Sequence, residues 1–539
     1  MEGNAGRREI LDYQHDASAG WLVVFEDPLT NMNQSPQTTD PHFLILGLGE
    51  TGVAAARWCV KQGWRVRVAD TRTAPGGLSQ LQRSCPDAAI DYRLGCETLE
   101  PSLLEGISQL VLSPGLSPYQ SPTIELLQAA RSANIPVIGE IELFAQALHG
   151  LKQTVGYQPK VLGITGTNGK TTVTALTQHM LEGSGIRARA AGNISPAALD
   201  ALMSAIDEDA LPDVWVLELS SFQLETVHSL RFAAAVVLNV TQDHLDWHGD
   251  MVSYVAAKQR IYQSAELSIV NRDDSTVMQM CAQPEGVNVR SFGRSAPTLS
   301  GDLGLETSHG VHWLVKCEPN EFDNEHAPGP KRKKDAVAPS RPAGRIVRMM
   351  PAEALTVKGL HNALNCEAAL LLAHAAGGSW GAMLRAASDY AGEPHRMEFV
   401  RSVRGVDFFN DSKGTNVGAT VAGLEGLGQL SILIAGGVGK GQDFRPLAEV
   451  IGRHVKHVVL IGEAAAAIRD TLASSNVVCE DASSMQDAVN KAYAQATEGE
   501  AVVLSPACAS FDMFKNYPHR GQCFVEAVNE IALEQGELV

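Results

Sequence analysis

The sequence predicts an α/β protein of three domains in series, each built on a parallel sheet. Three observations carry this. Short apolar runs alternate with helical segments along most of the chain, the pattern of strands joined by crossover helices. Glycine-rich turns follow several of those runs directly, where such sheets bind ligands. At 539 residues the chain is also too long for one ordinary domain, so two to four are expected.

Composition narrows the class. The chain is 45% hydrophobic and 19% charged, ordinary for a globular protein. Its formal charge of −18 argues against nucleic acid as the main partner. Nine cysteines are scattered without a CxxC pair, which reads as free thiols in a reducing cytoplasm. The polar, acidic N-terminus does not read as a signal peptide, and no apolar run approaches the ~20 residues of a membrane span.

Residues 1–41 read as a poorly ordered extension, with few apolar clusters and the stretch NMNQSPQTTDP; Met32 is a second candidate start. Residues 42–148 read as a Rossmann-like domain. There the strand FLIL runs straight into Gly47-x-Gly49-x-x-Gly52, and a second strand, Trp64 to Ala69, ends at Asp70. An acid at that place suits a ribose hydroxyl, and Thr71 and Arg72 add donors. A further strand ends in the turn Ser113-Pro114-Gly115, and Ile135 to Ile138 reads as a buried strand. The pattern points to a nucleotide phosphate or ribose without saying which nucleotide.

Residues 149–393 read as a central domain of the P-loop ATPase-like type. KVLGITGTNGKTT, residues 160–172, is a short strand, a glycine-rich turn and a helix start. Such a loop aims backbone N–H groups and a helix N-terminus at an anion, which suits a triphosphate. Lys170 would reach the β/γ-phosphates and Thr171 would hold Mg²⁺, so ATP is the expected ligand. The usual pattern has a glycine five residues before Gly169; Ile164 stands there, with Gly163 one place earlier and Gly166 as a second bend. The alternative is an ordinary strand–turn–helix junction with an exposed lysine. The strand Val214 to Leu217 ends at Glu218, an acid placed to meet Mg²⁺. The strand Ala233 to Asn239 runs into VTQDHLDWHGD, whose Asp243, His244, Asp246, His248 and Asp250 form either a metal cluster or a solvated loop. Lys258 in YVAAKQRIY reads, by itself, as a solvated helix lysine. Near 298–354 the pattern weakens; prolines and the basic run Lys331–Lys334 read as a flexible insertion rather than a nucleic-acid patch. Order returns at LHNALN, residues 360–365, which opens an Ala/Leu helix.

Residues 394–539 read as a second Rossmann-like domain. Its strands are Asp407 to Phe409, Ser431 to Ile434, Val458 to Ile461 and Ala501 to Leu504. The loops at strand ends are NDSKGTN, GGVGKGQDF and SPACASFDMFKNY. Lys413 and Lys440 sit in these glycine-containing loops, which favours ligand contact over plain solvation.

GTNGKTT, ELSSFQLE, NVTQDHLDWH with a helix lysine after it, HNALN, PHRME, NDSKGTN and LSPACASFDMFKNYPHRG together resemble the Mur ligase family. The resemblance runs in order from Phe43 to the C-terminus. It implies an ATP-dependent ligase that joins an amino acid to a UDP-sugar-linked carboxylate in peptidoglycan precursor synthesis. SSFQLE and SPACASFD are similar to the D-glutamate-adding branch, and the DNPR-type motif of the meso-diaminopimelate-adding branch is absent. The extension and the insertion depart from the family pattern.

The resemblance implies site residues. Gly166, Thr167, Asn168, Gly169, Lys170, Thr171, Thr172, Asn365, Arg396 and Asp411 would hold ATP. Thr171, Glu218, His244 and Lys258 would hold two Mg²⁺ ions, with Lys258 carboxylated by CO₂. Thr415, Lys440, Ser510 and Tyr517 would contact D-glutamate, with Lys413 in the same pocket; relatives often carry Phe at 517, so a backbone contact is implied there. Gly49, Thr51, Asp70, Thr71, Arg72, Gly115, Asn193 and Gln223 would hold the UDP-sugar. Lys170, Glu218, His244, Lys258 and Lys413 would be catalytic. The implied partners are UDP-N-acetylmuramoyl-L-alanine and D-glutamate, with no nucleic acid and no membrane, for a monomer in the cytoplasm.

Other readings compete. Another amino-acid-adding member of the family fits the same loop. Folylpolyglutamate synthase shares the loop but should lack the N-terminal domain. A nicotinamide-dependent oxidoreductase built on GLGETG leaves the phosphate loop unexplained. A non-catalytic nucleotide-binding scaffold predicts decay at Lys170, Glu218, His244 and Lys258, and all four are intact.

Overall fold

The computed structural model describes residues 41–320, 340–357, 359–473, 475 and 477–537. The expected extension, apart from Pro41, and the basic run Lys331–Lys334 lie outside the described residues. The first sheet holds β1 (His42–Leu46), β2 (Arg65–Asp70), β3 (Ile90–Leu94), β4 (Gln109–Leu112) and β5 (Val137–Ile138), in the order β3-β2-β1-β4-β5. All its pairs are parallel. Every residue of β1 is buried, as expected where helices cover both faces of a parallel sheet. The order reverses between β1 and β4, and a crevice opens there, past the strand C-termini.

The second sheet holds β6 (Lys160–Thr165), β7 (Ala188–Gly192), β8 (Val214–Glu218), β9 (Ala234–Val237), β10 (Ser268–Asn271) and β11 (Val289–Phe292). Its order is β11-β10-β9-β6-β8-β7, again all parallel. Here β6 lies between β8 and β9, so the phosphate loop, Glu218 and the loop after Asn239 emerge side by side.

Residues read as a flexible insertion instead carry a small antiparallel sheet: β12 (Leu303–Ser308), β13 (Val311–Pro319) and β14 (Gly344–Pro351). The weak pattern has a physical reason. Its outer positions carry ion pairs such as Arg348–Glu306 (2.7 Å) and Lys316–Glu318 (2.6 Å), so only a few residues per strand are apolar and buried.

The last sheet holds β15 (Glu398–Val403), β16 (Val406–Asn410), β17 (Ser431–Gly436), β18 (Val455–Ile461), β19 (Val478–Asp481) and β20 (Ala501–Leu504). Its order is β15-β16-β20-β17-β18-β19. The edge strand β15 is antiparallel to β16, which departs from the all-parallel expectation. Adjacency of β16, β20 and β17 brings the loops NDSKGTN, SPACASFD and GGVGKG together. Among the described residues no helix is long and apolar enough to cross a membrane.

Candidate active site

The phosphate loop turns on two glycines, Gly166 (φ 153°) and Gly169 (φ 85°), in backbone conformations that a side chain resists. A Cβ on Gly169 would also stand 2.6 Å from Asn365 Oδ1. The loop is held from β9. Asn239 Oδ1 accepts the Asn168 N–H (2.8 Å), and Asn239 Nδ2 donates to the Asn168 carbonyl (3.1 Å). Thr167 Oγ1 accepts the Thr241 N–H (3.0 Å) and lies 3.0 Å from the Tyr254 hydroxyl. Lys170 Nζ folds back onto the carbonyls of Gly166 (3.0 Å) and Thr167 (2.9 Å). Burial lowers its pKa, against the pull of Glu218.

Glu218 is buried at the end of β8. Its Oε2 accepts from Thr171 Oγ1 (2.8 Å) and its Oε1 from Asn193 Nδ2 (2.8 Å). Arg396, from the segment before β15, hydrogen-bonds Thr171 Oγ1 as well. Lys258 is 2% exposed, far from the solvated lysine its local sequence suggests. Its Nζ donates to the same Gly166 carbonyl (2.9 Å) and lies 4.6 Å from the Tyr254 ring centroid. Burial, then the nearby Lys170 charge, holds its pKa well below the usual lysine value. His244 sits in the left-handed region (φ 56°), its ring edge-on to Phe222 at 4.8 Å. Burial lowers its pKa, with Asp243 opposing, so the neutral imidazole is favoured.

The Asp/His loop is not a five-residue metal cluster. Among the described residues, no group of three or more His, Cys, Asp or Glu is placed to hold a metal. Asp250 is spent capping the helix Met251–Gln263, accepting the Ser253 N–H (2.8 Å). His248 is buried with Nε2 2.9 Å from Ser221 Oγ, and its pKa falls to about 4 through burial. The remaining donors divide by chemistry. Thr171 Oγ1 and Glu218 offer oxygens, which fit a hard divalent cation. His244 and Lys258 offer two nitrogens, which fit Mg²⁺ only if the amine becomes an oxygen donor.

Across the cleft, Asp411 is buried, with Oδ2 accepting from Ser505 Oγ (2.6 Å) and Oδ1 from the Met397 N–H (3.2 Å). Burial lifts its pKa to about 6. Lys413 Nζ lies 3.8 Å from the Tyr517 ring centroid, and burial brings its pKa down to about 8. One cavity is lined by Lys170, Glu218, His244, Lys258, Lys413 and Arg396, with Thr415, Lys440 and Asn193 among its other walls. An adjoining cavity, lined by Asn168, Gly169, Thr172, Asn365, Arg396 and Asp411, opens between the same domains. Ser510 does not line either cavity. It is buried beside Ala509, which exchanges backbone hydrogen bonds with Val438 (2.8 and 3.1 Å), so its loop is joined to that of Lys440. Tyr517 lines neither cavity; its carbonyl accepts from Ser412 Oγ (2.7 Å).

A separate cavity past β1 and β4 is lined by Gly49, Thr51, Asp70, Thr71, Arg72 and Gly115. Burial would raise the Asp70 pKa, but hydrogen bonds from Arg72 and the Leu48 N–H hold it below the usual carboxylate range. That carboxylate accepts from Leu48 N (2.7 Å), Arg72 N (2.9 Å), Arg72 Nε (2.9 Å) and Arg72 Nη2 (2.7 Å), so it braces the loop. Asn193 and Gln223 lie outside this cavity, in the middle domain. Gln223 is part of a capping box with Ser220 (3.0 and 3.2 Å). The two regions are tied by Trp247, whose Nε1 donates to the Pro114 carbonyl (3.1 Å).

Three family models match in order: "Mur ligase MurD-like, N-terminal domain" over 41–139, "Mur ligase middle domain" over 164–323 and "Mur ligase, glutamate ligase domain" over 395–508. A protein of Bordetella bronchiseptica named UDP-N-acetylmuramoylalanine--D-glutamate ligase is 60% identical over 509 residues, covering 94% of this chain and 100% of that protein. One of the same name from Ralstonia nicotianae is 51% identical, covering 93% and 99%. The chain belongs to the Mur ligase family. Among solved structures, the UDP-N-acetylmuramate-alanine ligase of Thermotoga maritima aligns with a TM-score of 0.54 at 16% identity, covering 91% of this chain and 99% of that one. At that identity the likeness speaks for the Mur ligase fold alone.

The sequence reading left some residues of this Mur ligase site without a role. Asn239, Tyr254 and Asn416 shape the cleft, yet Asn239 stood only as the end of a strand and inside a quoted motif, and Asn416 only inside a quoted motif. Tyr254 carried a usable signal, since it falls with Ala257, Lys258 and Ile261 on the buried stripe of one helix.

Proposed function

We propose that this chain joins D-glutamate to UDP-N-acetylmuramoyl-L-alanine, with ATP as the phosphoryl donor. One observation carries the reading. Lys170 of the phosphate loop shares one cavity with Glu218 and with Arg396 and Lys413 of the C-terminal domain, and Arg396 donates to the neighbouring Thr171 hydroxyl. This is an arrangement for bringing a triphosphate to a carboxylate and an amine. Residues 42–148 bind the UDP-sugar, 149–393 bind ATP and 394–539 bind the amino acid. The protein works as a monomer in the cytoplasm, on small molecules.

A carboxylate is a poor electrophile, so its oxygen first attacks the γ-phosphorus of ATP, and ADP leaves. The product is an acyl-phosphate. The free amine of D-glutamate then attacks the acyl carbon, and the tetrahedral intermediate expels phosphate. Both steps crowd anions together, so catalysis rests on positioning and charge stabilisation. Lys170 swings from its two loop carbonyls to the transferred phosphoryl group, and Arg396 and Lys413 approach it from the other domain. Asn365 and Asp411 hold the nucleoside end. Lys440, Thr415, Ser510 and the backbone at Tyr517 orient the amino acid. Asn193 and Gln223 reach the sugar-linked end from the middle domain. Thr171 and Glu218 would hold one Mg²⁺, and His244 with carboxylated Lys258 a second. Bound there, Mg²⁺ supplies positive charge to the phosphate oxygens.

The test is phosphate release with ATP, UDP-N-acetylmuramoyl-L-alanine and one amino acid at a time. Release is expected with D-glutamate and at background with L-glutamate, L-lysine and meso-diaminopimelate. Turnover with either diamino acid and none with D-glutamate would refute the substrate assignment.

A further inference from the structure

One contact between the phosphate loop and the C-terminal domain has no role in this chemistry. Asn416 Nδ2 donates to Asn168 Oδ1 (3.0 Å), and Asn168 Nδ2 donates back to Asn416 Oδ1 (3.3 Å). Two side-chain amides thus pair reciprocally. Each is fixed by its own domain. Asn168 has its main chain held on both sides by Asn239. Asn416 caps the helix Val417–Leu427, with Oδ1 accepting the Ala419 N–H (2.9 Å). Its Nδ2 also lies 3.4 Å from Asp243 Oδ2.

Gly418 permits the approach. A Cβ there would stand 3.1 Å from Thr241 Oγ1 and 3.2 Å from Asn168 Nδ2, so the first helical turn rests directly on the phosphate loop. A reciprocal amide pair is directional at both ends and forms in one relative placement of its carriers. It is also neutral. It can set that placement without adding charge to a cleft already filled by Lys170, Lys258, Arg396, Glu218 and Asp243.

We propose that Asn416 is a positioning residue whose amide pair with Asn168 registers the amino-acid loop, at the adjacent Thr415, against the phosphate loop. It deepens the proposed function and rests on that reading of the two sites. The pair links them energetically. Nucleotide that orders Asn168 favours the placement in which the amino acid binds, and the reverse holds equally. Acyl transfer needs the amine within about 3.5 Å of the acyl carbon, so small errors of placement are costly.

Two variants separate this from a capping role. Asn416→Ser keeps a good cap and removes the amide that pairs with Asn168. Asn416→Asp keeps both the cap and the size of the side chain, and sets a carboxylate against Asp243 and Asn168 Oδ1. The measurements are affinity for a non-hydrolysable ATP analogue, affinity for the UDP-sugar, KM for D-glutamate and melting temperature. Nucleotide affinity and the D-glutamate KM should both worsen about tenfold in Asn416→Ser and further in Asn416→Asp, within the usual range of coupling. UDP-sugar affinity and melting temperature should stay at wild-type values. Unchanged nucleotide affinity and D-glutamate KM in both variants overturns the proposal. A uniform loss that includes melting temperature and UDP-sugar affinity overturns it too, because it marks a merely structural residue. If the wild-type protein uses an amino acid other than D-glutamate, the proposed function fails, and the nucleotide arm still decides on Asn416.

Discussion

Lys258→Ala is expected to lower kcat at least ~100-fold, the scale of losing one charge-stabilising group, and acetate is expected to restore part of the loss. The argument starts from burial. A lysine that is 2% exposed, with its Nζ on the Gly166 carbonyl and Lys170 nearby, holds its proton weakly. Neutral amine is the form that adds CO₂, giving a carbamate and a proton. The carbamate offers the oxygens that Mg²⁺ prefers and an amine does not. Because folding lowers this pKa, the neutral fraction is larger at any given pH than for a free lysine, and it grows as pH rises. At fixed dissolved CO₂, carbamate should therefore increase with pH. A ¹³C carbamate resonance on wild-type protein under ¹³CO₂, absent from Lys258→Ala, checks the modification without turnover. Wild-type rates from Lys258→Ala at low CO₂ would end this account.

Lys170→Ala is expected to lower kcat by ~10³, with the UDP-sugar KM within about threefold of wild type. The two bonds from its Nζ hold the side chain over the loop, so it needs only to swing to reach a phosphate. A group that acts on the transferring phosphoryl stabilises the transition state more than the bound substrate, so the loss belongs in kcat. Steady-state kinetics with each substrate varied in turn separates the parameters. A variant that loses only nucleotide affinity, with kcat intact, would make Lys170 a binding residue.

What could be read in the sequence was mostly local. The phosphate loop was legible because its strand, its glycines and its helix start lie in one continuous run, residues 160–172. Gly49, Thr51, Asp70, Thr71, Arg72 and Gly115 do share one cavity. The Asp/His loop misled because side-chain direction is not written in spacing: Asp250 turns to a helix cap and His248 into the core. Lys258 read as solvated because lysine usually is, although its helix places it on the stripe of Tyr254, Ala257 and Ile261. β12 to β14 escaped because their polar edges carry ion pairs in place of an apolar rhythm. Asn416 could not be read at all, since its meaning depends on Asn168, 248 positions earlier.

The Gly166 carbonyl, which accepts from both Lys170 and Lys258, makes the cleft a proton counter. Burial disfavours the charged form of both lysines, and the Lys170 charge adds to this at Lys258, so the pair favours shedding a proton to solvent. A nucleotide phosphate beside Lys170 would reverse the balance there and draw a proton in, while carbamate formation at Lys258 would send one out. Loading the cleft would then exchange protons with the buffer, and its heat is expected to vary with the ionisation enthalpy of the buffer chosen.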